Sequence, residues 1–214
     1  MKTKACRFGA AVLLLGLNWN LAYSQTAAPA PAAAAPVAQT VRIRGSIVAV
    51  AADKLTVRDR SGEMVDLRLS PKLAIVEVYP IELKSIASGS FIGTAAMPQA
   101  DGTLKAIAIT VFPETMRGVG EGHRAFDLLP QSTMTNATVA QVVGDASGRT
   151  LKLQFPGGEK TVLVDPAVPI VSFKPGDQSL LVPGASVSIG AQLVDNVPTA
   201  MRINSGRGGF VIPY

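Results

Sequence analysis

The sequence predicts an all-β protein, and three observations predict it. Apolar residues recur with a period of two, as in Leu55, Val57 and then Val65, Leu67, Leu69, with polar residues between them. That is the pattern of half-buried strands, since alternate side chains of a strand face opposite sides. Clusters of Gly, Pro, Asp and Ser punctuate the runs, as turns require. Finally, Leu55–Glu63 is echoed by Leu151–Glu159 at a spacing of 96 residues, and three further blocks recur in the same order at offsets of 94 to 95. These are Ala74-Ile75-Val76 with Pro169-Ile170-Val171, Ser88–Ile92 with Pro183–Val187, and Ala106–Ile109 with Ala200–Ile203. An internal duplication explains their shared order.

In the first copy the alternation places strands at 41–50, 54–60, 63–69, 90–97 and 103–111. Arg60-Ser61-Gly62 and Ala100-Asp101-Gly102 supply hairpin turns, because glycine adopts the positive φ that such turns need. Between the third and fourth strands, Ile81–Ile86 follows Pro80 and precedes Gly89, a short helical turn with a proline start and a glycine stop. The second copy repeats the pattern at 138–144, 150–155, 159–164, 185–194 and 198–204. Five strands with a short helical turn between the third and fourth is the element order of an OB-like small barrel. The expectation is therefore two tandem five-stranded OB-like barrels, at 40–112 and 137–206, with an interdomain Gly-rich loop at 113–136 and a C-terminal tail at 207–214. A unit of about 70 residues buries only about 60% of its unfolded surface, so the two are expected to pack together. An open β-sandwich is the alternative architecture.

Ahead of these, Lys2, Lys4 and Arg7 precede an apolar run from Phe8 to Leu17, and the small-residue site Ala22-Tyr23-Ser24 follows. This is a secretory signal peptide at 1–24, implying export to the periplasm. The run is too short to cross a bilayer, which takes about 20 residues, and no later stretch is long enough. Residues 25–39 form an uncharged Ala/Pro-rich linker whose prolines block helix growth.

Of the 214 residues, 48% are hydrophobic, 16% charged and 5% aromatic, which excludes a disordered charged tail and a charged coiled coil. Loss of Lys2, Lys4 and Arg7 with the leader leaves 17 basic against 15 acidic residues, a net charge of about +2 with alternating signs. Nucleic-acid binding then has no electrostatic footprint. Cys6 leaves with the leader, so disulfides and cysteine chemistry are excluded from the mature chain.

The segment 113–136 has no counterpart in the duplication and contains the chain's one histidine, so it is the candidate site. Glu121 and His123 could reach one ion, with Glu114, Asp127 or Met116 completing the shell, since imidazole and carboxylate together suit zinc, copper or nickel. The competing reading is a structural crossing in which Phe126 and Leu128 anchor the loop in an apolar cleft and Arg117 and Arg124 pair with Glu114, Glu121 or Asp127. Gly118, Gly120 and Gly122 are followed by His-Arg, not by the Gly-Lys-Ser/Thr of a phosphate loop. Ser88 and Ser132 lack a nucleophile elbow. No catalytic residue and no organic cofactor are therefore expected.

Four stretches, Gly89–Pro98, Val111–Glu114, Gly120–His123 and Ser132–Ala137, resemble the signature of a group of exported bacterial proteins known as a domain of unknown function. Its members often carry the label of metal ABC transporter permeases, which a chain without several membrane spans contradicts. The resemblance implies export, the duplicated β-domain and at most a metal-linked role. The function expected is a non-enzymatic periplasmic binding or scaffolding protein with an envelope protein or ligand as partner. The alternatives are a metal-binding accessory using the His123 loop, with a divalent metal as partner, and an envelope-polymer hydrolase.

Overall fold

The computed structural model of the chain describes residues 40–145 and 148–214; the expected leader and Ala/Pro linker lie outside them. Among the described residues the chain forms twelve strands and three short 3-10 turns. The strands are β1 (Thr40–Val50), β2 (Lys54–Asp59), β3 (Met64–Pro80), β4 (Phe91–Pro98), β5 (Leu104–Val111), β6 (Gly122–Ala125), β7 (Thr133–Asp145), β8 (Gly148–Phe155), β9 (Gly158–Val164), β10 (Ile170–Pro175), β11 (Ser186–Val194) and β12 (Val197–Gly206). All-β is what the period-two pattern predicts, and the ten strands it marks are all present. The expected helical turn is a 3-10 turn at Leu83–Ser85.

Local chemistry fixes the hairpins. The Asp59 carboxylate accepts hydrogen bonds from the backbone N–H groups of Ser61 (2.8 Å) and Glu63 (2.9 Å), while Gly62 takes a φ of 91°. Asp101 and Gly102 repeat this device between β4 and β5, with Asp101 accepting from the Thr103 N–H at 2.9 Å. The β11–β12 turn sets Asp195 and Asn196 at φ values of 51° and 59°, as a two-residue type I′ turn demands.

Pairing then closes β1, β2, β3, β12 and β11 into a five-stranded barrel, each strand bonded to the next and β11 back to β1. The β3–β12 contact is parallel and the other four are antiparallel. Ile47, Leu55, Val57, Leu67, Ile189 and Ile203, all at most 2% exposed, fill its interior. A second circuit joins β4, β5, β9, β8 and β7, with β5–β9 parallel. Ile92, Ile109, Val139, Leu151, Leu153 and Val162 are buried inside it without measurable exposure.

The two circuits do not follow the tandem plan. Residues 40–112 do not close on themselves: β1 to β3 are completed by β11 and β12, whereas β4 and β5 are completed by β7 to β9. The physical reason lies in β3. It runs for 17 residues, through Pro71 and on to Pro80, three times the usual five or six. Its far half stays paired with β12 of the first barrel through Ala74–Val78 on one edge and pairs with β10 through Val76–Pro80 on the other, so the chain runs on beside the second circuit and delivers β4 there. Strand β10 bridges β3 antiparallel and the end of β5 parallel, and neither it nor β6 was marked by the alternation. Val78, Val171 and Ile212 form a third buried cluster at this seam, with Phe173, Phe210 and Tyr214 packed on it.

The strand exchanges have matching details. Ile47 donates to the Ala185 carbonyl (2.9 Å) and accepts from Gly184 (2.8 Å); Val139 donates to the Ser90 carbonyl (2.8 Å) and accepts from Gly89 (2.8 Å). Gly89 and Gly184 share φ values of 88° and 86°, and the bulges at Ile47/Ala49 and Val139/Gln141 interrupt β1 and β7 next to these bonds.

Candidate ligand-binding cleft

The segment after β5 begins with a 3-10 turn at Glu114–Met116 and ends in β6, which pairs with β7 through Gly122–Asn136 and His123–Thr135. Arg117 fastens its start. The guanidinium donates to both Glu114 oxygens (2.5 and 2.8 Å) and to the Gly89 carbonyl (2.9 Å), and lies 5.9 Å from the Phe91 ring centre. Asp127 fastens its end by accepting two hydrogen bonds from Arg44 of β1, at 2.7 and 3.0 Å. Phe126 lies between, its ring centre 5.4 Å from the Arg42 guanidinium and 5.3 Å from that of Arg44.

These bonds separate the four candidate metal ligands. Glu114 faces Arg117, Asp127 faces Arg44, His123 Nδ1 lies 2.8 Å from the Thr135 hydroxyl, and Glu121 is exposed. Among the described residues no three His, Cys, Asp or Glu side chains are grouped to hold a metal. Arginine has already supplied the positive charge that an ion would bring to Glu114 and Asp127. The guanidinium hydrogen bonds hold both carboxyls below their ordinary values. Burial, with the Lys160 charge adding to it, holds the His123 imidazole below its own. Of the pairings expected for a structural crossing, Arg117–Glu114 forms, while Arg124 donates instead to the Gly120 carbonyl at 2.7 Å.

The chemistry gathers in a cleft of about 460 Å³ between the outer faces of the two circuits. One wall comes from the first barrel, where Arg42 (β1), Ser188, Gly190 and Gln192 (β11), and Arg202 and Asn204 (β12) occupy the alternate positions that face away from its core. The other wall carries Gly93 (β4), Thr110 (β5), and Met134 and Asn136 (β7). Met116, Val119, Arg124 and Phe126 of the connecting segment cover it, and Phe112, Phe173 and Tyr214 line it from the seam. Three arginines thus border the cleft, and no carboxylate among the described residues lines it.

The polar groups are held in place. Arg202 Nε donates to Asn204 Oδ1 at 3.1 Å. The Thr110 hydroxyl donates to the Tyr214 oxygen at 3.3 Å, and burial pushes the Tyr214 phenol above its ordinary value, so it stays protonated with its own hydrogen still to give. Burial, then the neighbouring charges of Arg44 and Arg124, pull Arg42 below its usual value. Asn136, 5% exposed, donates from Nδ2 to the Val119 carbonyl at 2.9 Å, while its Oδ1 is buried with no partner among the described residues. A side chain at Gly93 would place its Cβ 2.8 Å from that oxygen and 3.0 Å from the Phe112 ring, so only glycine fits there.

Sequence reading found the connecting segment but not the cleft. Arg42, Arg202 and Asn204 sit at the outward positions of alternating strands, where a polar residue reads as an ordinary solvated face. One signal did point here: the four stretches singled out above converge, with Gly93, Phe112 and Gly120 all lying against Asn136 or one another. Comparison of the chain with protein-family models, with curated proteins and with solved structures found no match.

Proposed function

We propose that the protein is an exported, periplasmic, non-enzymatic binding module of two OB-like barrels that arose by internal duplication, and that its ligand enters the cleft between them. The barrel reading is supported by the build of each circuit: a three-stranded meander closed by a hairpin that lies antiparallel to its first strand and parallel to its third. The matched hydrogen bonds at Ile47 and Val139 support the duplication. The observation that carries the binding role is the cleft itself, of ligand size, walled by both circuits and lined by three arginines without a carboxylate.

Gly190 gives the test. A Cβ there meets only the Thr40 methyl at 3.7 Å, so Gly190→Trp can be accommodated by the strand and fills the cleft. Native mass spectrometry of protein isolated from the periplasm should show a small-molecule mass on the wild type that is lost in Gly190→Trp. The same protein partners captured by both proteins, with no small-molecule mass on either, would place the function on another surface.

A further inference from the structure

We propose that the cleft selects a small organic anion, a carboxylate or a phosphate ester carrying an apolar body. This rests on the cleft being the ligand site. The charge count comes first. Asp127 already accepts two hydrogen bonds from Arg44 and lies 3.8 Å from Arg42, so two guanidiniums share one carboxylate. Arg124 is met by the Gly120 carbonyl and Arg202 by the Asn204 amide oxygen, both neutral. Arg44 and Asp127 pair with each other outside the lining, so the three lining arginines leave a net charge of +3 at the cleft. Like charges crowded in this way repel, and an anion that bridges them relieves the repulsion while accepting charge-assisted hydrogen bonds.

The rest of the lining sets the ligand's other half. Phe112, Phe126, Met134 and Met201 present apolar surface to the same space, which a bare inorganic ion would leave wet. Arginine suits both headgroups, since its planar fork matches carboxylate and phosphate oxygens alike. Two neutral groups remain for specificity. The Tyr214 hydroxyl has a hydrogen to give, and the Asn136 oxygen lacks a donor.

Calorimetry on the full mature chain tests this with naphthoate, naphthyl phosphate, naphthol and inorganic phosphate as probes. At least one of the two naphthyl anions should bind. Naphthol and inorganic phosphate should each bind at least about tenfold more weakly than that anion, a difference of about 1.4 kcal/mol. The double variant Arg42→Gln, Arg202→Gln should lose at least about tenfold in affinity for the anion. Arg124→Gln, on an exposed side chain, gives a second reading if the double variant does not fold. Raising ionic strength should weaken the anion and leave naphthol unchanged. Equal binding of naphthol and naphthyl phosphate, both abolished by Gly190→Trp, would overturn the anion assignment and leave the cleft as the site. Anion binding unaffected by Gly190→Trp would overturn both, as would uptake onto phosphatidylglycerol vesicles without uptake of any soluble probe.

Discussion

Ile203 of β12 is fully buried in the first barrel and lies in parallel register with Ile75 of β3, a half-buried residue packed on the same cluster. A tandem barrel would instead set β12 beside β9, with Ile203 near Val162. The difference can be measured as a coupling energy. Ile203→Ala removes buried methyl and methylene groups and leaves a cavity, a loss of about 2 to 5 kcal/mol. Ile75→Ala, at a half-buried site, should cost less. Because the two side chains border one interior, the double variant should deviate from additivity by about 0.5 kcal/mol or more, whereas Ile203→Ala with Val162→Ala, drawn from separate cores, should add to within about 0.5 kcal/mol. Urea denaturation followed by far-ultraviolet circular dichroism on the wild type and the five variants gives both cycles. For a domain of this size each kcal/mol also moves the melting temperature by about 2 to 4 °C. Coupling of Ile203 with Val162 and additivity with Ile75 would refute the exchanged pairing.

Gly93→Ala should destabilise the fold by about 1 to 3 kcal/mol in thermal melts, because its methyl would meet the Asn136 oxygen and the Phe112 ring, and Asn136→Ala should recover part of that loss. His123 titrates lower in the fold than in the unfolded chain, where its value is about 6.5. The unfolded state therefore binds more protons between those two values, so stability falls as pH drops below about 6.5, and His123→Gln should flatten that part of the profile. Zinc or copper should give the same melt shift, or none, in wild type and His123→Ala; a metal-induced gain confined to the wild type would restore the ligand set at Glu114, Glu121, His123 and Asp127.

The strands were legible because burial on one face imposes a period of two, and the turns because Asp59, Gly62, Asp101 and Gly102 carry their own backbone chemistry. Partner choice was not legible. The alternation at Ile189 and Ile203 says that these side chains enter a core, and it is the same whichever core that is. The decisive feature, the run of β3 through Pro71 to Pro80, breaks the usual lesson that proline ends a strand. Strand β10 was visible only as the block Pro169-Ile170-Val171, too short to show a period. At the site, the lone histidine drew attention to His123, whose Nδ1 pairs with the Thr135 hydroxyl. The arginines that surround the cleft come from β1, the segment before β7, and β12, and only the exchange of strands brings them to one opening.

The methionine methyl groups test the binding role most directly. Met116, Met134 and Met201 line the cleft, while Met64 on β3 and Met97 on β4 lie outside it. In a protein with isotope-labelled methionine methyls, addition of the small-molecule fraction of a periplasmic extract should shift the resonances of Met116, Met134 and Met201 and leave those of Met64 and Met97 in place. Shifts confined to Met64 or Met97, or an unchanged spectrum at saturating extract, would contradict a ligand site between the two circuits.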